Sequence, residues 1–366
     1  MGILVFIVII GLVVFVHEFG HFIMARRAGI FVEEFAMGMG PKILEFKGKK
    51  QSTTGEVTVY TLRAFPVGGF CKMRGMEEVV PDDAEAFNNK GLLDRLLVIA
   101  GGSVMNFVLA LVIFFVLLFL NGYRTLEVWH VNEGTPAAQG GLQAGDRVTH
   151  IDGNRVVLWE DYRFLLDISG GREMEFRVDR NGEAVNLNIT PIFTEEIGYF
   201  LGFIQGVRVG RLTYIPEGFT NYTRAGVGDS LVIAARTIGF HIQAPFRVLA
   251  RFLARDPLPE EMGGVQSMVG IGAEVTRMYS EAMAEGVLVT VLTMVNIAGF
   301  ISVALGTMNL LPIPALDGAR LVFLAIEGIR KKPVSQEKEG TVHMIGFILL
   351  MVLIVVLVVR DIINLI

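Results

Sequence analysis

Apolar residues run unbroken from Gly2 to Val16, and after a cluster of His17, Glu18 and His21 the apolar run resumes and ends at Arg26 and Arg27. Three more stretches of this kind follow, Leu96 to Leu120, Gly286 to Leu311 and Val342 to Val359. With the first taken as Ile3 to Ala25, each is close to the roughly twenty residues a helix needs to cross a bilayer. The first does not read as a signal peptide, because no basic residue precedes it and no small-residue cleavage site follows it. Between the second and third spans the pattern shortens. From Arg124 to about Ile192, short strands alternate with turn signals such as Ala144-Gly145-Asp146, Asp152-Gly153 and Asn181-Gly182, which predicts a small β-rich domain. Farther on, Pro216 to Arg255 contains a helical stretch too charged to span, with Arg236, His241 and Arg247. It predicts an amphipathic helix along the outer membrane surface, with packing on the β-rich domain as the alternative. Between the first two spans, "KILEFKGKK" and "EVTVYTLRAF" predict two strands about a polar turn, followed by "GGFCKM".

These elements define a polytopic α-helical membrane protein of about four transmembrane helices, with an inserted β-rich domain and a cytoplasmic β-hairpin. The expected divisions are 1–120 (two spans and the hairpin), 121–195 (the β-rich domain), 196–285 (amphipathic linker helices) and 286–366 (the last two spans). Composition agrees: 52% of the 366 residues are hydrophobic and 19% charged, against about 25% charged in soluble chains. A formal charge of −5 gives no sign of nucleic-acid binding. Lysines and arginines gather between the first two spans (Arg26, Arg27, Lys42, Lys47, Lys49, Lys50 among them) and between the last two (Arg330, Lys331, Lys332, Lys338). Basic loops stay cytoplasmic, so both termini and the long segment Asn121 to Glu285 are expected outside, in a multi-pass protein of the cell inner membrane. The only cysteine, Cys71, falls on the cytoplasmic side, where a small buried residue is the plain reading.

Ionisable groups at membrane depth mark functional sites. H-E-x-x-H on a helix sets His17 and His21 at i and i+4 on one face, a spacing that lets two imidazoles hold one zinc ion. Glu18 lies beside them, free to act as a base on a water. A catalytic zinc usually takes a third protein ligand. His130, His150 and His241 fall outside the membrane, and His343 opens the fourth span without a partner. Glu33, Glu34 and Glu45 are conceivable but follow the first span in charged sequence. Asp317 is the better candidate. Two prolines break the end of the third span just before it, and irregular backbone at this depth must line protein or a wet cavity. The first and third spans run in the same direction, so all three candidates sit near the same end. A helix N-cap is the competing reading of Asp317. Small residues in "GGSVMNF", Gly101 to Phe107, read as close helix packing. A metal transporter would also place His and Asp at this depth, but has no use for a glutamate inside H-E-x-x-H.

"HEFGH" together with "NLLPIPALDG" resembles the site-2 protease family of intramembrane zinc metalloproteases. The second string matches N-x-x-P-x-x-x-L-D-G at Asn309, Pro312, Leu316, Asp317 and Gly318. The likeness extends over nearly the whole chain, through "FPVGGFCKMRG" and "MGGVQSMVGIG", and is nearest the bacterial regulator of sigma-E protease branch. It implies that His17, His21 and Asp317 bind Zn2+, that Glu18 is the catalytic base, and that Asn309 assists substrate or transition-state binding. It also implies a zinc endopeptidase cutting transmembrane segments of single-span membrane proteins, with anti-sigma factors or remnant signal peptides as the kinds of substrate, and membrane lipids as surroundings. "GLQAGDRVTHIDG" resembles a PDZ domain, which binds extended peptide at a sheet edge. Two such domains occur in several members of the branch, and one is found here. A peptide ligand or a purely gating role are the two readings of it.

Overall fold

The computed structural model describes residues 1–76, 78–157, 159–194, 198–209, 211, 225–253 and 267–365. In chain order, α1 (Gly2–Arg27) leads to β1 (Val32–Gln51), β2 (Val57–Met73) and α2 (Leu92–Asn121). Then come β3 (Gly122–Val131), α3 (Pro136–Gln139), β4 (Arg147–Ile151), β5 (Asn154–Arg155), α4 (Trp159–Ile168), β6 (Met174–Arg180) and β7 (Glu183–Ile189). Next are β8 (Ile192–Thr194), β9 (Gly198–Phe200), β10 (Phe203–Val209) and α5 (Val227–Leu253). The chain closes with α6 (Met268–Glu285), α7 (Val287–Leu310), α8 (Asp317–Arg330) and α9 (Gln336–Leu365). Two compact units result, Met1–Ile113 with Val265–Ile366, and Phe114–Gly264. Among the described residues, α1, α2, α7 and most of α9 are long and apolar enough to cross a membrane, so this is a multi-pass membrane protein.

In the first unit, α1 is apolar all round, yet its buried residues form one stripe: Phe6, Ile9, Val13, His17, Gly20 and His21. The N-terminal half of the stripe packs on Val275 of α6 and on Met294, Ile297 and Ala298 of α7. The C-terminal half meets α2. A Cβ on Gly20 would land on the Gly101 carbonyl. Lipid tails are as apolar as leucine, so spans associate by close packing rather than by the hydrophobic effect, and small residues at the crossing permit it. Arg26 and Arg27 end α1, where cations suit the negative end of the helix dipole.

The two long strands β1 and β2 do more than form a hairpin. Residues 34–37 pair with 69–72 on one side, running antiparallel, and with 59–62 on the other. Residues 42–47 pair with 59–63 in turn. Each strand therefore bends at glycines of positive φ, Gly38 and Gly40 in β1 and Gly68 in β2, and the ribbon folds back into a small sheet whose edge is the segment 69–73. Its root packs Ile30, Val32, Phe35 and Met73 against Ala25 of α1 and Val98 of α2.

Leu311 precedes Pro312, which disfavours helical backbone; it is extended, and α7 stops at Leu310. The chain turns through Pro312 to Leu316 and α8 starts at Asp317. Gly318 has no room for a Cβ, because the Leu310 and Leu311 carbonyls press on it. α9 is largely exposed, but three contacts fasten it. His343 Nδ1 accepts the Ala315 N–H at 3.0 Å. Gly346 lets Pro314 approach. Asp361 accepts the Ser267 N–H at 2.6 Å. His343 thus has a partner after all, one that sequence could not supply because Ala315 is brought to it by the proline turn.

In the second unit the sheet order is β10-β3-β4-β6-β7, with β5 on β4. It surrounds a core that includes Leu126, Val148, Ile151, Leu166, Phe176 and Val178. The sheet extends beyond Ile192, because β10 pairs antiparallel with β3. Asp146, buried at the end of the "GLQAGD" turn, takes two hydrogen bonds from Arg180 at 2.7 Å each and one from the Gln143 N–H at 2.9 Å. α5 lays Phe240 edge-on to Phe164 of α4 at 5.3 Å, so one face of this helix packs on the β-rich domain, the alternative reading of the sequence. Leu231 and Val232 on it remain exposed.

Candidate metal centre

His17 and His21 follow one another by one turn of α1 and are both buried. Asp317 is carried to them by the turn after α7. His17 Nε2 lies 3.2 Å from Asp317 Oδ2, His21 Nε2 also 3.2 Å from Asp317 Oδ2, and the two Nε2 atoms 3.2 Å from each other. Three lone-pair atoms so close cannot all be satisfied by the protons they share. Ligands of a tetrahedral zinc at about 2.0–2.1 Å would stand about 3.3 Å apart, so the donor set and its spacing fit that ion. Two imidazoles and a carboxylate also leave the fourth position that catalytic zinc sites keep open.

What fixes the rings is equally specific. His21 donates Nδ1–H to the Val98 carbonyl at 2.8 Å, which leaves its Nε2 bare. His17 Nδ1 faces the Asn106 side chain, with Nδ2 at 3.3 Å. Val98 and Asn106 are both on α2. Gly102, on the same helix, sits against the rings, and a Cβ there would come within 2.5 Å of His21 Nε2 and 2.8 Å of His17 Nε2. The reading of "GGSVMNF" as packing alone holds for Gly101 against Gly20, but Gly102 and Asn106 face the histidines. Their i, i+4 spacing matches that of His17 and His21, but in a span apolar on all sides it does not single them out.

Asp317 does not cap α8 with its side chain; the carboxylate turns to the histidines instead. Asn309 Nδ2 is 3.5 Å from His17 Nε2. Glu18 lines a cavity of about 390 Å³ with His17, His21, Asn309 and Asp317, bordered by Gly68 to Cys71 of the sheet edge and by Arg320 and His343. The other three carboxylates are occupied elsewhere. Glu33 pairs with Lys72 at 2.9 Å and Glu45 with Lys42 at 3.1 Å. Glu34 pairs with Arg63 at 2.7 Å. Burial alone would raise Glu34, but the Thr61 hydroxyl and the Arg63 guanidinium hold its carboxyl below the usual range. Burial pushes the Cys71 thiol up, consistent with an unreactive packed residue.

Fold and site together define an intramembrane zinc metalloprotease. The model of a family described as "Peptidase family M50" matches residues 5–353, and the chain belongs to that family. Two clostridial proteins assigned as zinc metalloproteases are similar over nearly their whole lengths. That of Clostridium acetobutylicum is 32% identical over 99% of this chain and 97% of its own. That of Clostridium perfringens is 34% identical over 96% and 95%. Zinc metalloprotease RasP of Shouchella clausii is 30% identical over 98% of each. Among solved structures, the PDZ domain of an SdrC-like protein of Listeria innocua covers 22% of this chain and 92% of its own, at 21% identity and a TM-score of 0.20. The enzyme is a zinc-dependent endopeptidase of the site-2 protease type.

Proposed function

We propose that His17, His21 and Asp317 hold the zinc, that Glu18 is the general base, and that substrates are single-span membrane proteins cut within their spans. The observation that carries the ligand set is the triangle of 3.2 Å separations among two imidazole nitrogens and one carboxylate oxygen. Bound there, zinc supplies Lewis acidity toward a carbonyl oxygen and a water. Glu18 takes a proton from the attacking water and returns it to the amide nitrogen as the C–N bond breaks, so the water oxygen ends on the new carboxylate and its protons are accounted for. Asn309, a donor 3.5 Å from His17 Nε2, holds the substrate carbonyl.

A helical peptide bond is hidden by its own hydrogen bonds and must be extended before attack. The segment 69–73 lines the cavity beside Glu18 and lies at an edge of its sheet, paired with residues 32–37, a placement that suits addition of an unwound substrate as a further strand. Clustering of Lys and Arg on the loops after α1 and α8 supports a cytoplasmic location for that side. His21 is about one helical turn from Arg26, so the chemistry lies near the inner surface, and the β-rich domain lies outside. There β10, the terminal strand of its sheet, offers an edge for a peptide.

The test is zinc content and affinity of purified His17→Ala, His21→Ala, Asp317→Ala and Glu18→Gln. The first three should lose zinc and the fourth keep it. Full occupancy in Asp317→Ala would remove Asp317 from the ligand set.

A further inference from the structure

We propose that Asn106 is a positioning residue of the metal centre: its side-chain oxygen accepts the Nδ1–H of His17 and so keeps Nε2 of that ring bare for the ion. The inference rests on the ligand set proposed above. Two observations carry it. Among the described residues, the hydrogen-bond partner of His17 Nδ1 is the Asn106 side chain, which is fully buried on α2. And with Nδ2 turned to His17, Oδ1 of Asn106 is buried without a hydrogen-bond partner among the described residues.

An unsatisfied buried acceptor costs about 1–3 kcal/mol. Moreover an amide nitrogen can only donate, so that arrangement makes His17 Nδ1 an acceptor and places the ring proton on Nε2, the atom aimed at Asp317 and His21. The oxygen and nitrogen of an amide are nearly equal in size, and a half-turn of the group exchanges them. After it, Oδ1 accepts a hydrogen bond from Nδ1–H, that oxygen is no longer orphaned, and His17 has the same tautomer that the Val98 carbonyl imposes on His21 at 2.8 Å. The displaced Nδ2 then occupies the former place of Oδ1; among the described residues, Ser103 on α2 and Thr307 on α7 also bury hydroxyl oxygens without partners. Gly306 lets α7 close on Ser103 and Asn106. The ring is thereby set before metal arrives, and partners of this kind are worth roughly 10–100-fold in affinity.

Zinc affinity is measured on the full chain in a Glu18→Gln background, by competition with a chromophoric chelator, with thermal melting as a check on folding. Asn106→Leu, similar in size but without an acceptor, should weaken zinc roughly 10–100-fold. Asn106→Asp restores an acceptor and should recover most of that loss, which a packing role for the amide would not. His17→Ala is the reference. If it leaves affinity unchanged, the ligand set itself fails. If it weakens zinc while Asn106→Leu does not, or if Asn106→Asp fails to recover it, the role of Asn106 is overturned and the ligand set stands. A further measurement needs no change at Asn106. In the zinc-loaded protein labelled with 15N-histidine, the Nδ1–H protons of both His17 and His21 should resonate downfield and resist exchange. A His17 proton without that shift overturns the proposal.

Discussion

Glu18 differs from its neighbours in what it is free to do: two histidines point at Asp317, and the carboxylate between them in sequence faces the cavity. Replacing it by glutamine keeps the shape but removes the proton acceptor. Glu18→Gln should lower cleavage about 10²–10⁴-fold with zinc content unchanged, read by turnover beside metal analysis. Gly102→Ala makes the opposite kind of lesion. Its Cβ would sit 2.5 Å from His21 Nε2, so zinc binding and activity should fall together while Glu18 is untouched; normal zinc affinity would mean the rings have slack that the geometry denies. His17, Glu18, His21 and Asp317 were legible in the sequence because ionisable residues stand out against apolar ones. Gly102 and Asn106 were not, because small and amide residues in a span have an ordinary packing explanation, and α2 is apolar on all sides, so no periodicity marks which face meets α1.

At the scale of elements, the proline turn between α7 and α8 is the device that delivers Asp317. Its backbone is unusual, with Ala315 at φ +78°, a left-handed conformation that costs a residue with a Cβ about 1 kcal/mol or more. The His343 bond to the Ala315 N–H holds it there from α9. The strands between α1 and α2 were visible as alternation, but their doubling back was not: that depends on which residues pair after the bends at Gly38, Gly40 and Gly68, and pairing is not a local property. In the second unit the turn before β4 is pinned by Asp146. Asp146→Ala leaves Arg180 and the Gln143 N–H without their acceptor, and groups left so cost about 1–3 kcal/mol. Thermal unfolding of the β-rich domain should shift down by several degrees, with zinc content unaffected; an unchanged melting profile would show that the turn is held by backbone contacts alone.

For the whole molecule, four spans and an inserted domain were readable from run lengths and charge, and the sheet's last strand was not, since β10 joins β3 across about seventy intervening residues. That strand bears on how the domain's role is tested. A size filter is the hypothesis: chain order places the domain between the second and third spans, and substrates with bulky outer parts are excluded until another protease trims them. Replacing Gly122 to Val209, the whole sheet, with a flexible linker should preserve cleavage of a short-ended substrate and admit one bearing a folded outer domain. Loss of the short substrate in a folded, zinc-loaded deletion would instead make the domain a recruiter. The central claim, that this chain hydrolyses a peptide bond inside a membrane span with zinc held by His17, His21 and Asp317, is tested most directly in one reconstituted preparation. A single-span substrate is incubated with the purified enzyme as isolated, after chelation, after zinc is returned, and with Asp317→Ala, and the products are sized by mass spectrometry. The account predicts a cut within the apolar segment that disappears on chelation, returns with zinc, and does not return in Asp317→Ala. Cleavage that survives chelation, or that zinc restores equally in Asp317→Ala, would contradict it.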